Sequence, residues 1–164
     1  MECNIRNCIV KRIKENCVPF NNIGSICGNI LFVLPYYDEN MVTDLKRIYE
    51  EVTGKNLEEN HGITYAVKCN VYSNYKIYDN SIITCGVNFM RLCRNGTYKH
   101  IYLFGDAYKL FYKDKPNIRH ATCCYENRRY HLVLYNSLAV KNHNTDLYND
   151  VVNKLKRNII TDDI

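Results

Sequence analysis

The sequence predicts an α+β fold with a helical N-terminal lobe, an antiparallel β-sheet lobe and a C-terminal helix. Apolar residues recur at helical spacing before residue 54 and after residue 144, and they alternate with polar residues between residues 63 and 136. The 15 tyrosines also favour a β-rich centre, since tyrosine forms strands readily and keeps its hydroxyl at the surface. With 164 residues the chain fits one domain, which we expect over residues 1–158, followed by a flexible tail over residues 159–164.

Four helical segments are predicted along the chain, and the first is a short basic helix over residues 4–14. A helix that begins at Cys17 is compatible with Pro19, because the first turn of a helix tolerates proline. The clearest helix covers residues 39–52, where apolar residues share one face and Gly54 follows as a C-cap. The last helix follows Asn144 and Thr145, which are typical capping residues.

Short strands are predicted through the middle of the chain, where the apolar period is two. Two tight turns, at residues 105–107 and 127–129, are expected to close antiparallel hairpins. The predicted strands are 63–71, 75–78, 82–85, 100–104, 108–113, 119–125 and 130–136.

Composition limits the setting in which the protein works. The first sixteen residues place charges within every apolar run, so neither a signal peptide nor a membrane anchor is expected. Nine cysteines are an odd number, and without an export signal we expect them to be reduced in a cytoplasmic protein. The net charge of +5 comes from scattered basic residues, which weakly favours acidic partners, and the expected partner is a protein substrate or host protein rather than nucleic acid. The abundance of Asn, Ile, Lys and Tyr is typical of A/T-rich coding and suggests a viral or parasite source.

One pair of residues suggests a chemistry. If the second hairpin turns on residues 127–129, His120 and Asn136 lie directly opposite each other, with Cβ atoms about 4.5–5.5 Å apart. An amide at that distance can hydrogen-bond an imidazole and orient it. Cys17, at a predicted helix N-terminus, supplies a thiol whose pKa the helix dipole and an imidazolium would lower. The expectation is a Cys17, His120, Asn136 triad in which the thiol attacks and the histidine moves the proton.

The segment from His120 to Asn136, HATCCYENRRYHLVLYN, resembles the His-Ala, hairpin, Asn pattern of papain-like cysteine proteases. Asn16-Cys17 is similar to the Asn-Cys at the nucleophile of viral papain-like enzymes, and Thr53-Gly54 resembles a segment of picornavirus leader proteases. The resemblance implies a papain-like fold, cleavage of a viral polyprotein or of host proteins including ubiquitin-like conjugates, and no cofactor. It also makes Asn16 the candidate oxyanion-hole residue.

Other assignments stay open at this level. Cys27 is an alternative nucleophile and His131 an alternative base, while Cys17 by itself also fits a buried apolar position. A metal site is not expected, because no CxxC pair exists and Cys123 and Cys124 point to opposite faces of a strand. The alternative function is a non-enzymatic protein that binds and blocks a host protein, and a third is nucleic-acid binding by tyrosine-rich strands.

Overall fold

The computed structural model describes residues 19–69 and 75–164. Its centre is a six-stranded mixed sheet with helices on both faces. The strands are β1 Ile23–Gly24, β2 Ile30–Leu34, β3 Gly62–Tyr65, β4 His100–Phe104, β5 His120–Tyr125 and β6 Arg128–Tyr135. The α-helices are α1 Glu39–Thr53, α2 Leu57–Asn60, α3 Tyr75–Asn95 and α4 Thr145–Asp162, and 3-10 helices cover Gly105–Leu110 and Leu138–Asn142.

The sheet is largely parallel. Its strand order is β1-β3-β2-β4-β6-β5, in which β3, β2, β4 and β6 run parallel and only the edge strands β1 and β5 run antiparallel. The mixture of helices and strands is confirmed, but the predicted antiparallel lobe is wrong. The physical reason is visible in β2, whose residues Ile-Leu-Phe-Val-Leu are all fully buried, because parallel strands covered by helices on both faces need no polar alternation.

Two apolar cores cover the two faces of the sheet. Phe32 and Tyr102 point to the face that α1 and α4 cover, whereas Leu31 and Leu103 point to the face that α3 and the first 3-10 helix cover. Successive residues of one strand thus enter different cores, as the period of two requires. The helices therefore cover the sheet on both faces.

The predicted strands at 75–78 and 82–85 are wrong, because both segments lie in α3. The helix buries Ile82, Cys85, Phe89 and Cys93, which recur every three or four residues. This helical period was present in the sequence, but the β-forming tyrosines and isoleucines suggested strands. The predicted strand at 108–113 is also wrong, since the chain there forms the 3-10 helix Gly105–Leu110 and a turn.

The two helices with strong local signals are confirmed. Asp38 caps α1, with its carboxylate accepting the Met41 amide hydrogen at 3.0 Å, and Gly54 ends the helix in the left-handed conformation. Asn144 caps α4 in the same way, accepting from the Leu147 amide at 3.0 Å. Among the helices of the described residues, none combines the length and apolar character that crossing a bilayer requires.

The cysteines differ in state. Cys69 is disulfide-bonded, whereas Cys27, Cys85, Cys93, Cys123 and Cys124 are free. The expectation that every cysteine is reduced is therefore wrong for Cys69.

The C-terminus is anchored, which contradicts the predicted flexible tail over residues 159–164. α4 continues to Asp162, and Ile159 is fully buried. The carboxylate of Asp163 accepts hydrogen bonds from Tyr49 at 2.5 Å and Lys55 at 3.1 Å, and it lies 2.8 Å from the His61 ring. Because these contacts join α4 to α1 and to the strand edge, the last residues belong to the folded domain.

Two neighbouring isoleucines provide a test of this anchoring. Ile159 is 0% exposed and Ile160 is 64% exposed. We expect Ile159→Ala to lower the free energy of unfolding by about 2–5 kcal/mol, because it removes buried methyl groups and leaves a cavity. Ile160→Ala should stay within about 0.5 kcal/mol of the parent. Urea unfolding followed by circular dichroism measures both, and equal values for the two variants would contradict the anchored C-terminus.

Candidate functional site

Of the expected triad, His120 and Asn136 are among the described residues. Cys17 and Asn16 lie outside them, so the nucleophile and the candidate oxyanion residue stay predictions. His120 begins β5 and is exposed, while Asn136 follows the last residue of β6.

The predicted facing of His120 and Asn136 is wrong. His120 pairs with Val133, and Asn136 is three positions further along, about 10 Å at the rise of a strand. The hairpin turns on two residues, Glu126 and Asn127, both with positive φ, rather than on the predicted residues 127–129. Register in a hairpin follows the turn, so this change displaces every facing pair.

Side chains near the end of α3 and at the start of β6 make contacts around this turn, which contains no glycine. The guanidinium of Arg94 donates to both carboxylate oxygens of Glu126, at 2.9 Å and 2.6 Å. Arg128, the first residue of β6, donates to the carbonyl oxygens of Cys93 and Gly96 at 3.0 Å and 2.5 Å. These partners are more than thirty residues away in sequence, so local turn preferences could not reveal them.

The structure brings His120 to a different partner. Its ring stacks on that of His131 with centroids 5.2 Å apart, and its Nδ1 lies 3.1 Å from Nε2 of His131. The second ring nitrogen of His131 lies 3.2 Å from Nδ1 of His100. His131, the alternative base, therefore lies in a row of three histidines. Cys27, the alternative nucleophile, is exposed in the connection between β1 and β2.

A second region of interest lies at the carboxyl ends of the four parallel strands. A side chain on Gly105, after β4, would place its Cβ 3.1 Å from Cβ of Ser137 and 3.6 Å from Cγ of Pro35. The segments that follow β2, β4 and β6 therefore converge on this glycine. In parallel α/β sheets, ligands bind outside the carboxyl ends of the strands where the chain reverses its winding direction. Here β3 and β4 lie on opposite sides of β2, which is such a reversal.

A basic crevice opens beside this convergence. It is a cavity of about 200 Å³ at the carboxyl ends of β4 and β6. Among the described residues that line it, three are cationic, two from the segment before β5 and one from α4, and none is a carboxylate. The lining residues are Gly105, Tyr108, Lys115, Pro116, Asn117, Ile118, Arg119, Leu134, Tyr135, Asn136, Val151 and Lys154.

The positive charge of the crevice is only partly neutralised. Lys154 forms an ion pair of 2.9 Å with Asp150, an exposed residue outside the lining. This contact holds the pKa of the Asp150 carboxyl below its usual value, and the charge of Arg119 contributes. Lys115 donates a hydrogen bond to the side-chain oxygen of Asn136 at 3.5 Å. Because the amide of Asn136 is neutral, this contact does not offset the positive charge of Lys115. The crevice therefore suits an anionic ligand.

Sequence reasoning missed these residues for a specific reason. Asn136 was identified, but as the partner of His120 rather than as part of the crevice wall. Lys115 and Arg119 looked like scattered basic residues, because their proximity to Lys154 depends on how α4 packs against the sheet. The only local signal was Gly105 after an apolar strand, which is typical of a close backbone approach.

We expect Gly105→Ala to destabilise the protein more than Gly54→Ala does. Both glycines adopt positive φ, at 54° and 70°, so each alanine is strained by about 1 kcal/mol. Only the Gly105 substitution also forces a Cβ against Ser137, since nothing lies within 4 Å of a Cβ at Gly54. Urea unfolding of the two variants measures the difference, and an equal or smaller loss for Gly105→Ala would contradict the convergence of the three segments.

Comparisons with known proteins assign no family to this chain. No protein-family model matches it, and no curated protein matches it either. The resemblance to papain-like proteases thus rests on sequence motifs alone and stays a prediction.

Proposed function

We propose that this protein binds nucleic acid, with the phosphate backbone lying in the basic crevice. The observation that carries the proposal is the convergence of Lys115, Arg119 and Lys154 on one cavity, in which none of the described lining residues is a carboxylate. Phosphate contacts by lysine and arginine supply most of the affinity of proteins for nucleic acids. Arginine also offers a planar fork of donors that matches two phosphate oxygens.

The position of the crevice supports this ligand class. It lies at the carboxyl ends of parallel strands, where glycine lets a backbone approach closely. Tyr108 lines it and is half-buried, so its ring offers a surface on which a base can stack. The side chain of Asn136 adds an amide, which can read the edge of a base.

The size of the cavity favours a polymer over an enclosed small molecule. Pockets that enclose a drug-sized ligand usually measure about 300–1,000 Å³. A volume of about 200 Å³ accommodates part of a nucleotide, with the neighbouring units running outside it. The net charge of +5 would steer such a polyanion towards the protein at low salt.

The binding experiment uses a fluorescein-labelled single-stranded DNA oligonucleotide and the full-length chain. Fluorescence anisotropy at several salt concentrations gives the affinity and its salt slope. Each phosphate contact contributes about 0.7 to the slope of log affinity against log salt for a single strand. We therefore expect the parent to bind with a steep slope, and Lys115→Gln with Arg119→Gln to reduce that slope by about 1.4.

The matched control is Lys99→Gln. Lys99 is an exposed lysine just before β4, at the end of the parallel strands opposite to the crevice. It removes the same charge as Lys115→Gln, so a specific site predicts a loss for Lys115→Gln alone. Equal losses for the two single variants would mean unspecific attraction and would contradict the proposal. Binding that is insensitive to salt, or absent, would do the same.

A further inference from the structure

A cluster of side chains that can bind a metal lies near the start of β4, at the end of the parallel strands opposite to the basic crevice. His100 is the first residue of β4, and it pairs in register with His131 of the neighbouring β6. Asp162 reaches the same place from the end of α4. We call His100, His131 and Asp162 the His-Asp cluster. Each offers one ligand atom, and these atoms all lie within 4.8 Å of one another.

We propose that the His-Asp cluster binds a divalent transition metal ion, with zinc as the best fit. Nδ1 of His100 lies 3.2 Å from Nδ1 of His131 and 3.5 Å from Oδ2 of Asp162. Zinc binds imidazole nitrogen and carboxylate oxygen at about 2.0–2.1 Å, and tetrahedral angles then separate neighbouring ligand atoms by about 3.3 Å. The two distances match the edges of such a tetrahedron.

The nature of the ligands selects the class of metal. Two imidazoles and one carboxylate suit zinc and other first-row transition metals, whereas magnesium and calcium prefer ligands that are all oxygen. Sites with three protein ligands keep a fourth position open for water or another ligand. The His100 and Asp162 side chains are 23% and 10% exposed, so solvent can reach the site.

Neighbouring side chains hydrogen-bond the proposed ligands and can orient them, as is usual around metal sites. A metal-bound histidine normally donates its other ring N–H to an acceptor, which fixes its orientation. Nε2 of His131 lies 3.1 Å from Nδ1 of His120, so His120 can accept that hydrogen. The hydroxyl of Tyr102 donates to Oδ2 of Asp162 at 2.5 Å and orients the carboxylate.

Titration of the chelator-treated, full-length protein with Co²⁺ tests the proposal, followed by competition with Zn²⁺. Cobalt is a spectroscopic substitute for zinc, and tetrahedral Co²⁺ gives intense visible absorption. We expect one equivalent to bind with these bands, without the near-ultraviolet charge transfer that cysteine ligands produce. Zn²⁺ should then abolish the bands by displacing cobalt.

Variants separate this cluster from other ligands in the chain. His100→Asn and His131→Gln should each weaken Co²⁺ binding by more than about 100-fold, because each removes a direct ligand. His120→Ala should weaken it by about 10- to 100-fold, as expected for a residue that supports a ligand. His143→Ala is the control and should have no effect, since His143 is exposed at the end of the second 3-10 helix.

Circular dichroism of each variant excludes unfolding as the cause of a loss. Three results would overturn the proposal: no binding of Co²⁺ to the parent, cysteine-type charge-transfer bands, or full binding by folded His100→Asn and His131→Gln variants. The experiment contains no nucleic acid, so its outcome is independent of the function proposed for the basic crevice.

Discussion

The complete burial of β2 on both faces is the constraint on which the rest of the structure depends. All five residues from Ile30 to Leu34 are shielded from solvent. A strand of that kind must lie inside the sheet and have helices above and below it. Each fully buried apolar side chain contributes about 1.5–3 kcal/mol relative to exposure, so no arrangement that leaves one face open can compete.

This burial also decides where chemistry can occur. With apolar cores on both faces, the two groups of polar side chains described above lie at the ends of the parallel strands. At the carboxyl ends of the strands, the segments after β2, β4 and β6 converge beside the basic crevice. The His-Asp cluster lies at the amino ends of the strands. Helix α4 contributes Lys154 to the crevice and Asp162 to the cluster. The C-terminal helix therefore links the two sites, which is a reason for its end to be anchored.

The elements that could be predicted are those whose signals are local. Asp38 and Gly54 define α1 through contacts within one helical turn, and Asn144 does so for α4. The elements that could not be predicted depend on distant partners. The register of β5 and β6 follows a turn that Arg94 supports from α3, and a side chain sixteen residues from His120 was no guide to its real neighbour, His131.

Local sequence is enough to establish that helices and strands are mixed and where α1 and α4 begin. These follow from capping and periodicity, which act over a few residues. Only the tertiary structure decided that the strands run parallel, that Lys115 and Arg119 meet Lys154, and that His100 faces His131 and Asp162. Strand order and the meeting of distant side chains depend on packing free energies summed over the whole domain, and no local pattern contains them.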